Sequence, residues 1–263
     1  MKKVIISLAP VAALTPVEAM PLSEDVYKSV QAGASMCHLH CRRPDGSLTV
    51  DISYMLECFE RILQKTDVIV QTSTGGVSDM TIEERCAPLN YSKVESTSLN
   101  GGSTNLGEAV YINSFDDIRY CSKTAYEKDI LPEIEVFDIG MIHNMEIIMR
   151  EISFKKPVLF NLVFGHQGGI QPTIKSLMAF SSFVPKKALW GVTHYGRDNW
   201  NFLAAAIAMG ASIVRIGFED SAYLAPDKNA GYNYQLVKKL AALIRSMDFE
   251  TATPKEAREL LKL

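Results

Sequence analysis

The chain has 263 residues, 47% hydrophobic and 22% charged, with 27 Lys and Arg against 30 Asp and Glu for a net charge of −3. That balance is ordinary for a globular protein and argues against a nucleic-acid binder, whose footprint is a basic domain. No apolar run reaches the roughly 20 residues of a membrane span, and no low-complexity tract or charge block marks a disordered linker.

The first element carries two readings. Met1-Lys2-Lys3, an apolar stretch over 4–14 and Val17-Glu18-Ala19 have the outline of a signal peptide. The stretch reads better as a buried first strand over 3–11, ended by Pro10 and Pro16, because its removal would delete one unit of a repeat. Short β-branched or aromatic runs follow at 35–40, 68–73, 93–98, 133–138, 158–164, 188–194 and 212–218. Between them lie amphipathic helix candidates at 23–32, 53–65, 81–87, 114–127, 142–151, 173–182, 199–209 and 235–246. Eight consecutive βα units point to a closed (β/α)₈ barrel, a TIM barrel, formed by one domain over 1–263. An open doubly wound sheet is the alternative, but no glycine fingerprint follows the first strand. Thr253-Pro254-Lys255-Glu256 reads as the capped start of a short C-terminal helix over about 254–262.

The five cysteines, Cys37, Cys41, Cys58, Cys86 and Cys121, are odd in number and include no C-x-x-C. They suggest neither a disulfide framework nor a zinc knuckle, and fit a reducing, cytoplasmic compartment.

Barrel enzymes place their chemistry at the C-terminal ends of the strands, and here those loops are polar and glycine-rich. His38-Leu39-His40 ends the second strand. Residues two apart share a strand face, so both imidazoles project toward the barrel mouth and could hold a divalent metal, zinc most commonly. On strand eight, Arg215, Gly217 and Glu219 share a face, which makes Glu219 the candidate third ligand. Two histidines and a carboxylate leave a position open for substrate. The alternatives are buried polar histidines and a solvated Glu219-Asp220 pair. Arg215 inside a barrel needs an anion: Glu219, Asp220 or a substrate carboxylate. Asp220 could be a base held ionised by its neighbours. Thr72-Ser73-Thr74-Gly75-Gly76 and the run 97–105 offer hydroxyls and free N–H groups for carboxylate oxygens. Glu133 and Glu135 form an acidic face on strand five, suited to pairing with a cation or supporting a ligand; His143, His166 and His194 are further candidates, each read first as an ordinary polar loop residue.

These residues together resemble the β-keto acid cleavage enzyme family, whose best-known activity is 3-keto-5-aminohexanoate cleavage in lysine fermentation. The resemblance is carried by 32–46 with its His38-Leu39-His40-Cys41-Arg42, by Ser73-Thr74-Gly75-Gly76 with Arg85, by 98–105, 132–138 and 214–220, and by 253–258. It implies a TIM barrel with zinc on His38, His40 and Glu219. It also implies a retro-Claisen exchange in which a β-keto acid and acetyl-CoA become acetoacetate and a new acyl-CoA. Carried over, Arg215 and Asp220 are the catalytic acid/base pair. Ser73, Thr74, Gly75 and a hydroxyl at Thr97 or Ser98 hold substrate, and the chain forms a homo-oligomer, often a tetramer. The family's aminohexanoate enzyme has an acidic residue after the first strand. Here that stretch is Ala9-Pro10-Val11-Ala12-Ala13, so neutral or anionic keto acids are expected to outperform an amino-bearing one. Two other classes remain in view: a metal-dependent barrel hydrolase, whose turnover would not need acetyl-CoA, and a non-enzymatic protein with a structural metal.

Overall fold

The computed structural model describes residues 1–155 and 157–263. The parallel strands are β1 (Lys3–Leu8), β2 (Met36–Leu39), β3 (Ile69–Thr72), β4 (Ser96–Asn100), β5 (Leu131–Val136), β6 (Leu159–Phe164), β7 (Leu189–His194) and β8 (Ile213–Ile216), most of them runs with apolar residues on both faces. Each pairs with the next, and β8 pairs back onto β1 with Ser7 opposite Arg215, so the sheet closes. The expected eight-stranded barrel is the observed one. Lys3–Leu8 is paired on both sides inside it.

The crossovers are α1 (Ala19–Ala32), α2 (Ser53–Leu63), a single turn α3 (Ile82–Arg85), α4 (Phe115–Glu127), α5 (Ile139–Glu151), α6 (Ile174–Ser182), α7 (Asn201–Ala208) and α8 (Asn233–Ser246). Several start where the sequence supplies a cap. Ser114 accepts from the Asp117 N–H while the Asp117 carboxylate returns the bond to the Ser114 N–H. The same device at Thr253 and Glu256 opens α9 (Pro254–Leu261).

Alternation sorts the barrel interior into tiers. Ile5, Met36, Ile69, Leu131, Leu159 and Ile213 form an apolar floor, closed from below by Ala257 and Leu261 of α9. Two residues further along the strands come Ser7, His38, Gln71, Glu133, Asn161 and Arg215, all buried. Outward-facing residues such as Val4, Ile6, Val70 and Ile134 pack under the helices.

Two hairpins and a short edge strand lie outside the alternation read from the sequence. Thr104–Leu106 pairs antiparallel with Ala109–Tyr111 across a two-residue turn, Gly107-Glu108. Tyr223–Ala225 pairs with Lys228–Asn229. Glu250–Thr251 adds alongside the start of β1. Strand β8 also stops two residues earlier than expected, because Gly217 adopts φ +148°.

Candidate active site

The early end of β8 decides where the chemistry-bearing side chains go. At Gly217 an added Cβ would lie 2.0 Å from the Ala9 carbonyl oxygen, so only glycine lets the chain turn this close to the end of β1. The Glu219 N–H donates to that same carbonyl (3.1 Å), and the Asp220 and Ser221 N–H groups fold back onto the Gly217 carbonyl. Asn233, at the start of α8, accepts from the Phe218 N–H and donates to the Pro10 carbonyl. The turn is therefore bound to β1 on one side and α8 on the other, and both acids point into the mouth.

His38, His40 and Glu219 converge there, with one ligand atom from each lying within 4.8 Å of the others. The imidazole tautomers follow from their partners. The Gln71 amide donates to Glu133 Oε2 (2.5 Å) and to Ser96 Oγ (3.1 Å), which turns its carbonyl oxygen toward His38 Nδ1 (2.8 Å). A carbonyl only accepts, so Nδ1 carries the proton and Nε2 a lone pair. His40 Nδ1 likewise meets the Gly75 carbonyl (3.2 Å). Both Nε2 atoms then face Glu219 Oε1, at 3.9 and 3.2 Å. Among the described residues His38 Nε2 has no hydrogen-bond partner. Burial pulls the His38 imidazole down to about 3 against the pull of Glu219, so it stays neutral. The unpartnered His38 Nε2, set beside the His40 ring and the Glu219 carboxylate, is what a divalent cation would satisfy, and two imidazoles with one carboxylate are the donor set of open zinc sites. Gln71 and Glu133 supply the outer hydrogen bonds that such sites use to aim their ligands.

Arg215, buried at 7% exposure, gathers three acids. It contacts Asp220 through Nε (3.1 Å) and Nη2 (2.5 Å), Glu135 through Nη1 (3.1 Å), and Glu219 through Nη2 (3.5 Å). Burial works against its charge, but these acids outweigh it and raise its pKa further. Burial pushes the Glu135 carboxyl up to about 7 despite the guanidinium. Glu219 is held well below the usual carboxylate range: burial opposes this, and His40, Arg215 and His38 overcome it.

These groups line a cavity of about 590 Å³ at the C-terminal end of the barrel, within the size range of small-molecule sites. Ser73 and Gly75 line it as well. Ser73 Oγ accepts from the Gly75 N–H (3.0 Å) and pairs with Ser98 Oγ (3.2 Å). Thr74 and Thr97 are not brought to the cavity. The Thr74 hydroxyl donates to the Ser98 carbonyl and meets Cys121 of α4, and the Thr97 hydroxyl donates to the Thr72 carbonyl. Both lie a single step along the strand from the inward-facing serines, so alternation turns them outward. His166 lines the cavity, His194 is buried against Phe202, and His143 is on the surface.

Two contributors lie outside the candidates that the sequence pattern marks. Gln71 lies between Ile69 and Ser73 on the inner face of β3, but a neutral amide carries no charge to draw attention. Tyr111, at the end of the Thr104–Tyr111 hairpin, lines the cavity. Arg85 holds it there, contacting Tyr111 Oη (3.2 Å), Asn113 Oδ1 (2.5 Å) and the Thr74 carbonyl (2.8 Å). The Gly107-Glu108 pair between two three-residue runs was the available hairpin signal.

A family model described as beta-keto acid cleavage enzyme matches residues 4–263. The chain belongs to this family. A 3-keto-5-aminohexanoate cleavage enzyme of Fusobacterium nucleatum is 37% identical over 92% of this chain and 87% of its own length. A protein of the same description from Acetoanaerobium sticklandii is 35% identical over 90% and 87%. A 3,5-dioxohexanoate:acetyl-CoA acetone transferase of Paraburkholderia graminis is 29% identical over 100% and 96%. Among solved structures, apo ObcA superposes with a TM-score of 0.79 at 18% identity, covering 94% of this chain and 65% of its own, which is a likeness of fold. As a β-keto acid cleavage enzyme, the chain is an enzyme of the barrel class expected from its βα repeat.

Proposed function

We propose that this β-keto acid cleavage enzyme uses zinc on His38, His40 and Glu219 to exchange acyl groups between a β-keto acid and acetyl-CoA. The observation that carries the reading is the convergence of His38 Nε2, His40 Nε2 and Glu219 Oε1 beside the Arg215–Asp220 pair. The names of relatives that use acetyl-CoA support the co-substrate. In the balanced reaction the C2–C3 bond of the keto acid breaks. C2 gains the acetyl group and leaves as acetoacetate, while the C3 acyl group gains the coenzyme A sulfur.

Zinc, when bound, supplies Lewis acidity toward the keto oxygen. Asp220 takes the C2 proton, with Arg215 fixing the carboxylate through two contacts and balancing its charge. The Ser73 hydroxyl, set by Ser98 and the Gly75 N–H, donates to the substrate carboxylate. Thr74 and Thr97 serve by holding the β3 and β4 ends in register. The chain works as one catalytic domain in the cytoplasm, where its five buried free thiols stay reduced. It assembles as a homo-oligomer, a tetramer by the family resemblance. The exposed Ile174 and Met178 on α6, with Phe183 just beyond it, favour self-association.

A panel of β-keto acids incubated with acetyl-CoA should yield acetoacetate, with about one divalent metal per chain by elemental analysis. Turnover that persists undiminished without acetyl-CoA would favour the hydrolase. A His38→Ala, His40→Ala double variant that keeps its full metal content would refute the ligand set.

A further inference from the structure

The tier above Glu135 is a wall of another character. Glu133 and Glu135 follow one another on the inner face of β5, and Phe137, just past the end of that strand, lines the cavity one step beyond the acid that contacts Arg215. The His166 ring tilts against Phe137 with centroids 5.6 Å apart, and stacks on Tyr195 at 3.9 Å and 17°. Val163 and Leu106 complete the lining on this side. The stack is built into the backbone: Gly165 adopts φ +94°, and an added Cβ would lie 2.2 Å from the Tyr195 carbonyl oxygen. Only glycine lets the loops after β6 and β7 close enough for the rings to meet.

Resting on the cleavage reading, we infer that the Phe137–His166–Tyr195 wall receives the substituent on C3 of the β-keto acid, and that this substituent is uncharged and apolar. The wall adjoins the reacting groups, so the part of the substrate bonded directly to C3 is what reaches it. The wall itself is neutral: burial, reinforced by Arg215, pulls the His166 imidazole down to about 4. Among the described residues no cavity carboxylate is left over for an ammonium group. Glu135 and Asp220 are taken by Arg215, and Glu219 faces His38, His40 and Arg215. Among the described residues the remaining cavity cation is Arg42, which follows β2, across the barrel from β6. Its Nη1 donates to the Gly46 carbonyl and its Nε has no partner among the described residues; its place across the barrel is what sets it apart from a distal carboxylate on the aromatic side.

Three probes of equal chain length isolate charge from size: 3-oxohexanoate, 3-oxoadipate and 3-keto-5-aminohexanoate, each with acetyl-CoA and the metal-loaded enzyme. Acetoacetate, read as label exchange with labelled acetyl-CoA, provides the case without a longer substituent. The neutral probe should exceed both charged ones at least about tenfold in kcat/KM, the scale on which an apolar pocket discriminates. Tyr195→Ala and His166→Ala should each lower the ratio of kcat/KM for 3-oxohexanoate to that for acetoacetate about tenfold, and Tyr195→Phe should preserve it. Preference for 3-oxoadipate would overturn the inference in favour of Arg42. Preference for the amino acid probe would overturn it too. A ratio indifferent to both alanine variants, with a raised KM for acetyl-CoA, would assign the wall to the thioester arm instead. Absence of label exchange together with failure of every probe would overturn the cleavage reading itself, and this inference with it.

Discussion

Gly217→Ala tests the argument that one backbone turn assembles the site. The substituted Cβ would sit 2.0 Å from the Ala9 oxygen, 2.5 Å from its carbonyl carbon and 3.0 Å from its nitrogen. All three are backbone atoms of a residue at the end of a buried strand, so no rotamer relieves the collision. At φ +148° the conformation is essentially reserved for glycine, and an L-residue there costs about 1–3 kcal/mol. Moving the turn away also sacrifices the Glu219 N–H bond to Ala9, worth about 1 kcal/mol. The sum, about 2–4 kcal/mol, corresponds to a fall in Tm of roughly 4–8 °C at about 2 °C per kcal/mol for a chain near this size. Gly107→Ala is the control. Its φ is also positive, at +66°, but nothing lies within 4 Å of an added Cβ, so it should lose only the left-handed cost of about 1–2 kcal/mol. Thermal melts and metal analysis on the same preparations read both effects. Gly217→Ala should also lose metal, because a shift of an ångström separates Glu219 from His40, now 3.2 Å apart. A Gly217→Ala protein that melts within a degree of the parent and holds its metal would refute the argument.

Other outcomes follow from the same geometry. Asp220→Asn should retain fold and metal while kcat falls on the order of 10²-fold, the scale of one general acid–base group; near-normal turnover with a lowered Tm would make the Arg215–Asp220 contact a structural ion pair. Gln71→Leu removes the acceptor on His38 Nδ1 and the donor to Glu133, and should weaken metal affinity about 10–100-fold; unchanged affinity in competition with a chelator would show that His38 is aimed by packing alone. His194 is held down to about 4, chiefly by burial, below the roughly 6.5 of an unfolded histidine. Between those values the unfolded chain binds a proton that the folded chain refuses, so stability drops as pH falls through this window. Urea midpoints at pH 7 and pH 5 should therefore diverge more in the parent than in His194→Asn, and equal divergence would remove His194 as the cause.

The barrel was legible because its strands and helices obey separate periods. Each of the eight apolar runs marked a real strand, and alternation alone aligned His38 with His40 and Arg215 with Gly217. The same rule faltered at Asp220, which lies off the Arg215 face if β8 continues. The turn at Gly217 returns it to that face, and a glycine in a strand pattern does not announce its φ. Thr97 and Ser98 close the expected strand run 93–98, and alternation puts them on opposite faces without saying which face is the inner one. Only register, with Ser98 opposite Glu133 on β5, sends one inward and the other out. Gln71 escaped because supporting hydrogen bonds use neutral amides, which composition and charge patterning do not flag. The Thr104–Tyr111 hairpin escaped because three-residue strands barely alternate.

The apolar floor and α9 make the barrel a cul-de-sac. Ala257 and Leu261 stopper the end opposite the catalytic mouth, so the barrel axis is blocked on that side and the cavity is approached from the side of the loops that carry its polar groups. The plug leaves the strand ends at the mouth free to vary in their side chains while the floor beneath them stays packed.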